Sequence, residues 1–238
     1  YCGLPLYWPA AEMKIRTEAG MHRVWWDVHF EPFEIEDIED NGDEAAEGAV
    51  PHRTYPQVNA PWAPPGEYTV RLTANGKTST QPLTLRLDPR VKTPAAGLAQ
   101  LATLSGRMYD GAVAARAAFA QARALVAELQ KLSGGDINAF KAQVESLAPA
   151  PQRGRGRFFG RGTATPPTLE SAGNGMMAAA MAMQGADVAP TAAQVAGCTR
   201  AQAQAADVMA RWTALKTSGL GAFNAKRRAA GEAEVKLP

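Results

Sequence analysis

Residues 31 to 50 carry nine acidic side chains and no basic one. Within them, Asp37-Ile38-Glu39-Asp40-Asn41-Gly42-Asp43 sets oxygen-bearing side chains at alternate positions, the arrangement of a calcium loop. An acid stands first at Asp37, an amide fifth at Asn41 and a glycine sixth at Gly42. The twelfth position, where such a loop needs a bidentate Glu, is Gly48, and Glu47 is one residue out of register. Asp37, Glu39 and Asn41 are therefore the metal-ligand candidates, and the tract as a whole reads as a solvated acidic loop.

The three histidines are His22, His29 and His52. On a regular strand His22 and His29 face opposite sides and cannot share an ion, and neither has a Cys or carboxylate at a ligand spacing. The chain contains no G-x-S-x-G nucleophile elbow, no Walker A loop and no dinucleotide fingerprint. Paired carboxylates occur only in the acidic tract, where nothing fixes their separation. No catalytic residue is assigned, and no cofactor is expected.

Two features suit contact with a partner. Arg153-Gly154-Arg155-Gly156-Arg157-Phe158-Phe159-Gly160-Arg161 mixes Arg with aromatics, as a phosphate-tracking, base-stacking segment does. The tract is short, however, and the net charge of the whole chain is only +2, so a low-complexity loop is favoured over nucleic-acid contact. Arg155, Phe158 and Phe159 remain its contact candidates. Trp25 is the other, because alternation from His22 to Phe30 puts Val24, Trp26, Val28 and Phe30 on one face and leaves Trp25 opposite.

The elements that would position these residues fall into two parts. Up to residue 92 the chain is rich in Pro, Trp, Tyr and Val, and beyond it Ala dominates. Tyr68, Val70 and Leu72 alternate with polar residues, as do Leu83, Leu85 and Leu87, and Asn75-Gly76 between the two runs suits a type I′ turn. Pro82 is expected at a strand start or a bulge. The implied architecture is α+β in two parts. An Ig/fibronectin-like antiparallel β-sandwich occupies residues 1–92, with Tyr68, Val70 and Leu72 in its core, and a helical bundle occupies 93–238.

In the second part Thr93-Pro94 opens a long amphipathic helix, with Thr93 as the cap and apolar residues from Leu98 to Leu129 at spacings of three and four. Asp136 caps a second helix bearing Ile137, Phe140, Val144 and Leu147. The Gly/Arg-rich loop 150–168 separates these from a Met- and Ala-rich segment. Thr191 and Gln194 then form a capping box before a helix that carries Val195, Cys198, Val208 and Trp212. No apolar run is long enough to cross a bilayer. Cys2 and Cys198 can equally pair or stay free. The chain opens without an initiator Met or a signal peptide, which fits a piece cut from something longer.

One family pattern runs through the first part. Ala19-Gly20-Met21-His22-Arg23-Val24-Trp25-Trp26-Asp27-Val28 is followed by Pro65-Gly66-Glu67-Tyr68-Thr69-Val70-Arg71-Leu72, Asn75-Gly76-Lys77, Gln81-Pro82-Leu83-Thr84-Leu85 and Asp88-Pro89-Arg90. This resembles the C-terminal region of bacterial secreted sortilin-like (BNR, Asp-box) β-propeller proteins, often labelled glycosyl hydrolases. The tail from Pro190 to Leu215 and Leu220 to Ala225 is similar to their helical ends. The resemblance implies a propeller upstream and export to the periplasm or cell exterior. It carries over no catalytic residue, since no Asp-box occurs here.

The resulting expectation is a non-catalytic accessory or interaction module whose partner is the upstream propeller of the same polypeptide or another protein. One alternative is a glycoside hydrolase-like enzyme with its active site upstream. Another is a subunit of a larger extracellular assembly.

Overall fold

The computed structural model describes residues 4–5, 17–24, 26–32, 54–55, 60–132, 135–150 and 166–237. The chain divides into two compact units. Tyr1–Leu98 with Gln184–Val188 forms the first, and Ala99–Met183 with Ala189–Pro238 forms the second.

In the first unit β1 (Leu4–Pro5) pairs antiparallel with β2 (Thr54–Tyr55), and β3 (Gly66–Ala74) pairs antiparallel with β4 (Lys77–Leu85) in a separate two-stranded sheet. The β3–β4 turn is as expected. Asn75 has φ 50° and Gly76 φ 74°, the left-handed pair that a two-residue hairpin of this twist requires. The register then runs without interruption from Ala74 opposite Lys77 to Gly66 opposite Leu85.

The expected β-sandwich is not there. Two facing sheets are needed to make one, and among the described residues there are only the hairpin β3–β4, whose residues are mostly exposed, and the two-residue pair β1–β2. Alternation shows that a strand has one apolar face but says nothing of what covers that face. The strand expected from His22 to Phe30 is also absent among the described residues, which make one antiparallel bridge there, His29 with Trp62. The reason is local. The Asp27 carboxylate accepts the His29 backbone N–H at 3.1 Å, and Trp26 Nε1 donates to the His29 carbonyl at 2.9 Å. Side chains that bond their own backbone compete with a strand ladder. Val28, between them, is driven to φ 57°, which ends the alternation.

Among the described residues five α-helices follow: α1 (Ala95–Gln130), α2 (Gly135–Leu147), α3 (Leu169–Met181), α4 (Ala192–Ala214) and α5 (Leu220–Ala229). α1 begins slightly later than its cap signal suggests. The Pro94 carbonyl accepts the N–H groups of Gly97 and Leu98, while the Thr93 hydroxyl donates to the Asp187 carbonyl instead of capping. Asp136 lies inside the first turn of α2 rather than before it, where its charge favours the helix dipole. The capping box of α4 forms as expected, with the Thr191 hydroxyl accepting from Gln194 N–H and the Gln194 side chain accepting from Thr191 N–H. Thr168 and Ser171 form a second box at α3.

The second unit is held by close contact of small residues and by one aromatic centre. A Cβ on Gly173 would meet the Ala112 carbonyl at 3.4 Å and the Ala115 Cβ at 3.5 Å, so α1 and α3 approach at van der Waals distance. Met176, Met177 and Met183 are buried, filling core space as flexible apolar side chains do. The aromatic centre is the Phe140–Phe223 stack, with centroids 4.6 Å apart at 11°. Trp212, Leu125, Leu129, Val144 and Leu147 pack in the same cluster.

Trp212 and Leu220 are eight residues apart, roughly one more than two turns at about 3.6 residues per turn would span. A π-turn at Leu215–Gly219 absorbs the surplus, so both side chains reach the core. The Trp212 indole N–H finds no acceptor among the described residues, so apolar burial must outweigh the lost hydrogen bond at this position.

α5 ends in a Schellman motif. Glu232 N–H donates to the Arg227 carbonyl and Gly231 N–H to the Arg228 carbonyl, with Gly231 at φ 71°. The tail then runs back along α5. The Asn224 side chain donates to the Val235 carbonyl and accepts its N–H, at 2.8 and 2.9 Å. Arg227 donates to the Ala233 carbonyl at 2.7 Å, pairs with Glu232 at 2.7 Å and lies over the Phe223 ring. Replacing Phe223 with Ala is expected to cost about 3–5 kcal/mol, the usual range for a buried aromatic. Asn224→Ala, which frees two backbone groups, should cost about 1–3 kcal/mol. Urea unfolding followed by far-UV circular dichroism measures both.

Candidate interaction surface

The β3–β4 register sorts the hairpin's side chains onto two faces. One face carries Tyr68, Val70 and Leu72 from β3, with Leu83, Gln81 and Ser79 opposite them on β4. The other carries Glu67, Thr69, Arg71 and Thr73 opposite Thr84, Pro82, Thr80 and Thr78. The second face is polar and internally bonded. The Thr84 hydroxyl donates to the Glu67 carboxylate at 2.9 Å, and the hydroxyls of Thr73 and Thr78 lie 3.0 Å apart. It is built for water.

The first face is apolar, yet much of it is open. Val70 is 51% exposed, Leu72 60% and Leu83 37%. Among the described residues, cover comes only at its foot. Trp26 meets Tyr68 edge to face, with centroids 5.8 Å apart, and the Tyr68 hydroxyl donates to the Pro64 carbonyl. Partial burial raises the Tyr68 pKa, because desolvation disfavours the phenolate. Towards the Asn75-Gly76 tip no described residue covers the face. Scattered exposed aliphatics are ordinary, but adjacent ones on a regular sheet face make that face a candidate contact surface. The sequence places Val70 and Leu72 in a core, and their exposure is what the sequence does not reveal.

Beside the hairpin, the His29 and Trp62 rings stack at 3.7 Å, and Trp62 N–H donates to the Gln184 side chain. His29 Nδ1 lies 3.2 Å from Asp27 Oδ2 but off the line that a hydrogen bond needs, so the pair attracts only when the ring is protonated. His22 is bonded to the Glu18 carbonyl. Among the described residues no three His, Cys, Asp or Glu side chains converge as a metal site, and no helix is long and apolar enough to cross a membrane.

The second unit holds a cleft of about 480 Å³ between the ends of α1 and α5 and the tail. Two of its cations are engaged internally, Lys131 with Glu128 and Arg227 with Glu232. Cys198 is a buried free thiol, 4.0 Å from the Met183 sulfur, and desolvation raises its pKa and keeps it protonated.

The residues that the sequence nominates for contact or metal, Trp25, Arg155, Phe158, Phe159, Asp37, Glu39 and Asn41, all lie outside the described residues. The hairpin face is thus the surface that the described residues define. No family model, curated protein or solved structure matches the chain.

The turn below the hairpin has a testable pH dependence. Arg90 donates to Asp88 through its guanidinium and its backbone N–H, and these bonds hold the Asp88 carboxyl below its ordinary value. A depressed carboxylate pKa stabilises the turn above the unfolded-state value and is lost as pH falls through the folded value. The Arg90 amide resonance should therefore shift in a titration whose midpoint lies below that of a free Asp, and Asp88→Asn should remove that midpoint.

Proposed function

We propose that this chain is a non-catalytic interaction module that docks a protein partner on the apolar face of the β3–β4 hairpin. One observation carries the reading: Val70, Leu72 and Leu83 lie together on a regular sheet face and are substantially exposed. A two-stranded hairpin is marginal in water by itself, and covering such a face is worth roughly 25 cal/mol per Å² of apolar surface buried. The polar, hydroxyl-rich opposite face directs association to the apolar one.

The resemblance to the C-terminal region of exported sortilin-like β-propeller proteins supplies the setting. In that setting the chain works in the periplasm or outside the cell, and its partner is the propeller region of the same polypeptide.

Isothermal titration of the purified chain with the separately produced upstream region tests this. The expected result is one-to-one binding with a negative heat-capacity change. Val70→Asp with Leu72→Asp should weaken it at least tenfold, while Thr80→Asp on the opposite face should leave it unchanged. Absence of binding, or equal binding by the Val70/Leu72 variant, would overturn the docking assignment. Turnover of nitrophenyl glycosides by the isolated chain would overturn the non-catalytic one.

A further inference from the structure

We infer that the outer edge of β3 is a strand-pairing site whose occupant is β3 of a second copy of this chain, joined antiparallel about a two-fold axis through Thr69. The inference starts from the phase of the hairpin ladder. In a two-residue hairpin the residues flanking the turn, here Ala74 and Lys77, form a hydrogen-bonded pair, and bonded and non-bonded pairs then alternate. Leu72, Val70 and Tyr68 therefore direct their backbone groups inward to Ser79, Gln81 and Leu83. Thr73, Arg71, Thr69 and Glu67 direct theirs outward, away from β4.

The two outer edges are not equivalent. On β4 the outward positions are Thr78, Thr80, Pro82 and Thr84, and Pro82 has no N–H to offer. This explains why Pro82 sits in mid-strand, opposite Thr69, with no bulge: its missing donor costs the hairpin nothing, yet it interrupts the row that another strand would need. The β3 edge has no such block. All four of its outward residues are exposed, and among the described residues no strand pairs with it.

Charge then selects the occupant. Along the open edge the order is Glu67, Thr69, Arg71. An antiparallel copy of the same strand centred on Thr69 sets Glu67 of each chain opposite Arg71 of the other, twice by symmetry. Opposite-charge cross-strand pairs stabilise a sheet and like-charge pairs oppose it. Moving the axis to Arg71 places two guanidinium groups face to face, and moving it to Val70 sets each charge against a threonine. The Thr69 register also satisfies the ladder phase, because Thr69, Glu67 and Arg71 all point outward. It runs from Gly66 to Leu72 and stops where Pro65 would meet Thr73.

The product is a four-stranded sheet, β4–β3–β3–β4. Three or more strands are what an isolated sheet needs for stability. Directly paired residues share a face, so Tyr68 of one copy lies beside Val70 of the other, and the apolar surfaces of both hairpins merge on one side. The pairing uses an edge and leaves that face available, so it stands or falls independently of the docking partner.

Sedimentation equilibrium of the purified chain, over micromolar concentrations at low and high salt, reads the association directly. A monomer–dimer equilibrium weakened by salt is expected. Glu67→Arg and Arg71→Glu should each weaken it roughly tenfold, by replacing two attractive pairs with two repulsive ones, and the double exchange should restore it. Thr69→Pro places at the β3 edge the block that Pro82 makes on β4. It spares the hairpin's own ladder and should abolish the dimer.

In a Cys2→Ser background, Thr69→Cys should form an intermolecular disulfide, because bonded pairs hold their Cα atoms about 5.5 Å apart; Val70→Cys should not. Circular dichroism confirms that each variant folds. A chain that stays monomeric throughout, a dimer indifferent to Thr69→Pro, or a double exchange no better than the single ones would overturn the inference.

Discussion

The left-handed pair at Asn75 and Gly76 is the constraint on which the character of the first unit rests. Two residues at positive φ close the turn with nothing to spare, so Ala74 must face Lys77 and every later pair follows. Because side chains alternate with a period of two, a slip of one residue would move Tyr68, Val70 and Leu72 to the threonine face. The turn thus determines which side of the hairpin is apolar, which backbone groups point outward, and why Pro82 is harmless where it stands.

The second unit rests on a different principle. Its helices are rich in alanine, so packing comes from close backbone approach, as at Gly173 against Ala112 and Ala115. The aromatic side chains are gathered around Phe140, Phe223 and Trp212, while Met108, Met176, Met177 and Met183 fill core space elsewhere in the unit. Keeping both Trp212 and Leu220 in that cluster takes a π-turn, and closing it takes the tail, which Asn224 and Arg227 tie down through backbone hydrogen bonds. A polar side chain that mimics a strand partner does there what an additional helix would do elsewhere.

Much of this was legible from residue order. The hairpin turn, the long α1, the Thr191 capping box and the buried stripe of Ile137, Phe140, Val144 and Leu147 all follow from local rules, and the structure contains each of them. Single positions departed from expectation, with Pro82 in mid-strand and Thr93 and Asp136 not serving as caps, and two readings of whole elements went wrong for identifiable reasons. Alternation through Trp26 and Val28 suggested a strand, but Asp27 and Trp26 bond the local backbone and turn the chain at Val28. Alternation in β3 and β4 suggested a sandwich, but among the described residues the hairpin is accompanied only by the two-residue strands β1 and β2, which are too short to form the second half of one. The candidate surface was legible only in part: its residues were identified as apolar, but they were assigned to an interior.

The sequence alone determined the local choices in which each residue's own stereochemistry or the helical and strand periods suffice: turn type, the start of α4 at its capping box, and the division of β3 and β4 into an apolar and a polar face. Only the tertiary structure decided which of those faces is covered. Burial depends on what lies opposite in space, and no periodicity within a strand encodes its neighbour. The same alternating Tyr68, Val70 and Leu72 would read identically in a closed core and on an open hairpin. Folding left Val70 and Leu72 on the open one.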